Sequence, residues 1–440
     1  MTEPVVVAPG DHPISRRRID PDALRVLYRL HEHRHAAYLV GGSVRDLLLG
    51  RQPKDFDIGT DAHPYQIKKL FRNCWIIGRR FRLAHVKFGQ KTIEVATFRR
   101  NVPELPPAET NGAPVVVASA PEPAGGAGIL HRDNTFGTAE EDAFRRDFTI
   151  NALFYDIGTQ SVIDYVGGLG DLERRVLRSI GDPRVRFVED PVRMLRAAVL
   201  GARLGFDMDP LVSEAIAEHR ALITEASPSR LIEEFYKVLR SGCAEASFRA
   251  LQRVRLLELI TPELAEAPEE VWDSLARLDR YRLLFPTAPP QLTNTILIGS
   301  LLVPMGALDR NGSRPREGSP ERVSFGMLPV ARRDIERLRH MTQMLQRMTD
   351  ADLPPRAARA LAHRPSFADS LVWLEIFGDA PDLVQHWAQV RAHREPAREA
   401  GVPAAAQDSP REDQHPAGPR RKRRRRRRGR RRGGPKAPPR

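Results

Sequence analysis

The chain is 440 residues long, 41% hydrophobic and 29% charged, with 70 Lys and Arg against 56 Asp and Glu for a formal net charge of +14. That much apolar sequence excludes wholesale disorder and predicts about three domains, while two cysteines, Cys74 and Cys243, exclude a disulfide framework or a cysteine-based zinc site and fit a reducing compartment. The charge is localised: residues 420–440 hold 14 basic residues and no acid, so residues 1–419 balance at 56 basic and 56 acidic, a neutral body with a cationic appendage.

Residues 1–20 read as a flexible N-terminus. They carry neither a basic n-region nor a long apolar h-region, and the longest apolar stretch, near Thr295 to Leu308, falls short of the ~20 residues of a membrane span. A soluble cytoplasmic protein with no membrane segment is expected. Residues 37–98 then mix short strand-like runs (AYLV, DFDIG, HVKF, TIEVATF) with short helical ones (SVRDLLLG, PYQIKKLF), and FTINALFYD follows, which predicts a small α/β unit.

Within it, Leu39 and Val40 run into Gly41-Gly42 and a helical pattern beginning near Ser43, the predicted N-cap. Glycines allow a phosphate to approach the backbone, a helix N-terminus offers free N–H groups, and Arg45 adds a charged fork; the same turn also occurs wherever a strand simply meets a helix. Nine residues after Asp46, Asp55 and Asp57 alternate with Phe56 and Ile58, so both carboxylates share one strand face and suit a hard divalent cation. Spacing alone is weak here, because Asp207 and Asp209 repeat it in a helical setting without a glycine turn. A third acid is needed, and either Glu94, opposite Ile93 and Val95, or Asp147 in the Arg145-Arg146-Asp147 run can supply it. His85 has no second His or Cys nearby and is assigned no metal.

Connectors follow from composition. Residues 101–128 are rich in Pro and Gly, residues 304–322 read likewise, and from about residue 394 Pro, Ala and charge displace all periodicity, predicting a disordered end. After about Asp171 the spacing becomes helical: Val192, Leu195, Ala198 and Val199, then Leu231, Phe235, Val238 and Leu239. Asp190 precedes Pro191 as a predicted N-cap, and Arg193 and Arg196 share a helix face that could meet a base edge and a phosphate, or simply be a salt-bridged surface.

Taken in order, LVGGSVRDLLLG, KDFDIGT, IEVATFR, RRDFTINALFYD, IDYVGGLGDL and EDPVRMLRAAVL resemble the class II nucleotidyltransferase superfamily, which contains bacterial poly(A) polymerases and tRNA CCA-adding enzymes. The run Ile76-Ile77-Gly78-Arg79-Arg80-Phe81-Arg82-Leu83-Ala84-His85-Val86 and the Arg-rich end look like the poly(A) polymerase branch. The resemblance implies an α+β fold: a small mixed-sheet nucleotidyltransferase head at 21–170, an all-α neck at 171–242 and body at 243–393, and a disordered basic tail at 394–440 that binds RNA. It implies metal binding by Asp55 and Asp57 with Glu94 as a proposed third carboxylate, catalysis by Asp55, Asp57 and Asp147, and a triphosphate turn at Gly41, Gly42 and Arg45. Arg146 and Asn151 match nucleotide-contacting positions, and Asp190, Arg193 and Arg196 the helix that selects the base. The activity implied is template-independent transfer of AMP from ATP to RNA 3′ ends with two Mg²⁺ ions (Mn²⁺ as the alternative), in mRNA processing and decay, with RNA-decay proteins as candidate partners. The alternatives are a tRNA CCA-adding enzyme and an inactive RNA-binding relative; intact Asp55 and Asp57 argue against the latter.

Overall fold

A computed structural model describes residues 3–78, 82–100, 135–308, 325–350 and 353–392. The connector at 101–128, most of that at 304–322, Arg79 to Phe81 of the signature run and the tail from residue 394 lie outside the described residues.

Eight strands form one mixed sheet: β1 (Val5–Val7), β2 (Ala37–Val40), β3 (Ile58–Thr60), β4 (Cys74–Ile77), β5 (Leu83–Phe88), β6 (Lys91–Thr97), β7 (Leu153–Asp156) and β8 (Ser161–Asp164). Their order is β1-β8-β7-β2-β3-β6-β5-β4, antiparallel except for the parallel pair β3/β6. Period-2 burial drives this arrangement, as Ala84, Val86, Ile93 and Val95 are buried while Lys87, Thr92 and Glu94 are exposed. The expected flexible N-terminus is corrected: Val5, Val6 and Val7 pair with Asp164, Ile163 and Val162 and extend the sheet. Ladder hydrogen bonds to a strand far along the chain order a segment that has too little apolar pattern to announce itself.

The turn after β8 is built around one carboxylate. Asp164, buried, accepts backbone N–H groups from Val166, Gly167 and Gly168 at 3.0 Å each and Leu169 at 2.8 Å. Gly168 has no room for a side chain, since a Cβ there would lie 2.3 Å from the Thr149 carbonyl oxygen. Asp164→Ala leaves four backbone donors without a partner, one of them buried and three part-buried, and is expected to destabilise the protein by about 3 kcal/mol, read as a shifted denaturant midpoint. A midpoint unchanged from wild type would refute that role.

Among the described residues beyond the sheet the regular structure is helical apart from one short parallel strand pair, Val176–Leu177 with Asp207–Met208. The repeat of the Asp-x-Asp spacing at 207–209 is thereby explained as structure. Asp207 sits in that strand rather than in a helix, and Asp209 caps the helix Pro210–His219 by accepting the Leu211 N–H at 2.9 Å. In the helices Val192–Leu204 and Pro228–Leu239 the predicted apolar positions Val192, Leu195, Ala198, Leu231, Phe235, Val238 and Leu239 are buried. The apolar stretch near residue 295 is the buried helix Asn294–Leu302, and among the described residues no helix is long and apolar enough to cross a membrane. Among the described residues the main cluster of buried apolar side chains runs from Ile14 to Ile376, with two smaller ones around Phe154 in the sheet and around Trp387 in the last helices.

Candidate active site

The glycine turn is dictated by crowding. Gly41 adopts φ +72°, its N–H donates to the Leu153 carbonyl at 3.1 Å on neighbouring β7, and a Cβ there would meet Arg146 Nη1 at 3.0 Å. Gly41 itself is the N-cap of the helix Gly42–Leu48; Ser43, expected in that role, instead donates its hydroxyl to the Val40 carbonyl at 3.0 Å. Arg45 is buried and locked, with Nε and Nη2 on Asp46 Oδ1 at 2.9 and 2.7 Å and Nη1 on Asn151 Oδ1. Arg146 is held by Asp142 Oδ2 through Nε at 3.2 Å and Nη2 at 2.9 Å, by the Asn151 carbonyl at 3.1 Å, and over the Phe154 ring at 5.3 Å. These partners fix both guanidinium groups before any ligand arrives.

Asp55 and Asp57 lie on the loop entering β3, exposed, with Phe56 and Ile58 buried between and after them. Because Ile58 pairs with Val95, Asp57 falls beside Glu94 one position earlier. The Asp57 carboxyl is pushed up to about 6, first because surrounding protein displaces its water and then because Glu94 and Asp55 repel its charge; Arg146 opposes the shift. Carboxylates that repel one another suit a divalent cation. Among the described residues no three His, Cys, Asp or Glu side chains are gathered closely enough to hold an ion alone, so substrate phosphate oxygens would have to complete its shell.

The two candidates for a third acid part here. Glu94 faces Asp57 across the sheet. Asp147 is buried, accepts the Phe148 N–H at 2.9 Å and Asn151 Nδ2 at 3.3 Å on Oδ1, and lies 2.7 Å from Arg196 Nη2 on Oδ2, off the hydrogen-bond axis. Its ion pair with Arg196 ties the head to the helix Val192–Leu204.

On the opposite wall Asp190 receives a bidentate pair from Arg230 at 3.0 and 2.9 Å and accepts the Val192 N–H at 3.3 Å. Burial raises its pKa, but Arg230 and the Val192 N–H outweigh that and hold it below the usual carboxylate range. Arg193 donates to the Arg186 carbonyl at 3.1 Å and to Glu189 at 2.9 Å. Between the walls lies a cleft of about 600 Å³ lined by Gly41, Gly42, Arg45, Asp57, Arg146, Asp147, Asn151, Asp190, Arg193 and Arg196, whereas Asp55 and Glu94 stand outside it. The sequence reading missed Arg145, Arg203, Glu234, Lys237 and Ser241 in the same lining. For all but Arg145 the signal was helical spacing of polar residues: Arg193, Arg196 and Arg203 on the helix Val192–Leu204, and Glu234, Lys237 and Ser241 along the helix Pro228–Leu239 and just past its end. Seven cationic side chains against four acids make the cleft a receptor for a polyanion.

The Poly A polymerase head domain family matches residues 37–178, and the family described as "Probable RNA and SrmB- binding site of polymerase A" matches residues 205–267. Together the two matches take in less than half of the chain, in its head and the helices that follow. It is 46% identical over 269 residues to the Poly(A) polymerase I of Salmonella typhimurium, covering 61% of this chain and 56% of that protein, and 42% identical over 272 residues to that of Haemophilus influenzae, covering 62% and 58%. The matches thus span little more than half the length of these curated relatives. The Bacillus subtilis CCA-adding enzyme is 36% identical over 239 residues, covering 54% of each chain. The fold is that of the Bacillus stearothermophilus CCA-adding enzyme crystallised with CTP, with a TM-score of 0.57 and 24% identity over 85% of this chain and 83% of that one.

Proposed function

We propose that this protein is a member of the poly(A) polymerase family, a polynucleotide adenylyltransferase that extends RNA 3′ ends with AMP from ATP, without a template, and releases pyrophosphate. The observation that carries the proposal is the joint lining of one cationic cleft by the glycine turn, Asp57 and the Asp190–Arg196 helix, in a chain more similar to Poly(A) polymerase I than to CCA-adding enzymes. Arg45, Arg146 and the Gly41-Gly42 backbone bind the triphosphate, Asn151 is oriented by Arg45 and Asp147, and Asp190, Arg193 and Arg196 face the base. The RNA 3′ oxygen attacks the α-phosphorus, the bond to the β-phosphate oxygen breaks, and the hydroxyl proton leaves. Asp55, Asp57 and Glu94 would hold two Mg²⁺ ions, which supply charge neutralisation on the triphosphate and a lowered pKa at the attacking hydroxyl. The tails so made would serve mRNA processing and decay in the cytoplasm, beside RNA-decay proteins.

Purified protein given an unstructured RNA, or a tRNA trimmed of its CCA end, with each nucleoside triphosphate in turn tests this. Long tails from ATP alone are expected, and addition of C from CTP followed by A would overturn the assignment. Base choice should rest partly on Arg230, which lies 40 residues from its partner Asp190 and fixes that carboxylate bidentately. Arg230→Ala is expected to lower ATP-over-CTP discrimination on the order of tenfold in kcat/KM while the unfolding midpoint barely moves, since the pair is largely exposed on the arginine side.

A further inference from the structure

The head carries a second surface that the nucleotide cleft leaves unused. Along β4, β5 and β6 one face of the sheet (Cys74, Ala84, Val86, Ile93, Val95) is buried in the core, and the other (Trp75, His85, Lys87, Thr92, Glu94) is open or half-buried. Register lines these open residues up: Trp75 pairs with His85, His85 with Glu94, and Glu94 neighbours Asp57 through the Ile58–Val95 pair. A single row, Trp75, His85, Glu94, Asp57, therefore crosses four adjacent strands. Contacts follow the row, with Lys87 Nζ 5.5 Å from the Trp75 ring centroid and His85 Nε2 3.6 Å from Glu94 Oε1.

Trp75 is 53% exposed and Ile77, two residues along the same face, 51%. An indole and an isoleucine left open on an edge strand contribute little to the core, and such a strand invites unwanted pairing. An open sheet face presenting an aromatic ring, here with the Lys87 cation over it, nevertheless joins the two elements that single-stranded RNA uses: a π-face on which a base stacks and a charge that meets the phosphate. Asp57 belongs to both surfaces. It lines the nucleotide cleft and also ends the Trp75 row, beside Glu94.

We propose that this face is the platform for the acceptor RNA: a base upstream of the 3′ end stacks on Trp75, its backbone passes Lys87 and His85, and the terminal hydroxyl reaches Asp57 from the side opposite the nucleotide. The inference rests on the adenylyltransferase reading for what happens at Asp57, but not for the binding itself. With strands about 4.8 Å apart, Trp75 stands roughly 14 Å from Asp57, so the stacked base lies upstream of the reacting terminus. His85, which touches Glu94, is a positioning residue between the two.

Two measurements on the full chain test it. In steady-state incorporation with a short oligoadenylate acceptor, Trp75→Ala should raise the acceptor KM roughly tenfold or more and leave the KM for ATP unchanged, while Trp75→Phe keeps most of the affinity. In anisotropy titrations of a labelled oligoadenylate without nucleotide, at elevated salt where phosphate contacts weaken and stacking persists, Trp75→Ala should weaken binding by a similar factor. Acceptor KM and affinity equal to wild type in Trp75→Ala overturn the platform. Wild-type protein that binds the oligomer through Trp75 but transfers no AMP overturns the adenylyltransferase reading and leaves the platform standing.

Discussion

Asp57→Ala is expected to abolish AMP incorporation, a loss of at least about a thousandfold in kcat, with little change in fold. The residue is exposed overall and lies at the mouth of β3, although protein around its carboxyl displaces part of its water. What it contributes is charge placed between the nucleotide cleft and Glu94. Its pH behaviour supplies an independent readout. With no divalent ion bound, its pKa near 6 stands above the ordinary carboxylate value, so the folded state favours the protonated form. The resulting stabilisation is fully present below the unfolded value and is lost as pH rises through about 6. Metal-free wild type should therefore lose thermal stability relative to Asp57→Asn between about pH 4 and pH 7, and Mg²⁺, which needs the ionised carboxylate, should raise the wild-type Tm more at pH 7 than at pH 5. Asp57→Ala protein that still incorporates AMP would sink the assignment, and parallel Tm curves for wild type and Asp57→Asn would remove the electrostatic account.

What the sequence made legible was local. Gly41-Gly42 declares itself because a positive φ beside an arginine admits only glycine, and Asp55 and Asp57 because period-2 alternation with buried Phe56 and Ile58 separates polar from apolar within four residues. The amphipathic helices are visible for the same reason. Contacts made across long separations were illegible. Val5–Val7 is ordered by β8, nearly 160 residues away, and Arg230 acquires meaning only once folding sets it on Asp190. Arg203 and Lys237 line the cleft from helices whose apolar faces attract attention while the polar faces look like ordinary surface. Asp147 shows the limit most clearly. The Arg145-Arg146-Asp147 run marks an acid, yet which of two jobs it performs depends on Arg196, half a hundred residues on, whose guanidinium it meets at 2.7 Å. Glu94 gains its place beside Asp57 from strand pairing in the same way.

Removal of residues 420–440 should change how the protein meets RNA more than any substitution in the cleft. That segment concentrates 14 cations at the end of a chain whose remaining charges cancel, and a run of arginines binds phosphates without reading bases. For a single strand each phosphate contact contributes about −0.7 to the slope of log affinity against log salt, so loss of even half the tail's contacts flattens the slope by several units. Affinity for a long RNA is expected to fall by two or three orders of magnitude at low salt and to converge on the wild-type value at high salt. The choice of ATP over CTP should not move, because Asp190, Arg193 and Arg230 belong to the neutral part of the chain. The KM for a short oligoadenylate should shift far less than that for a long RNA, since stacking at Trp75 serves the few nucleotides near the reacting end. An unchanged salt slope after the deletion would transfer general RNA capture to the cationic cleft and its rim, and would make the basic tail a docking or addressing element instead.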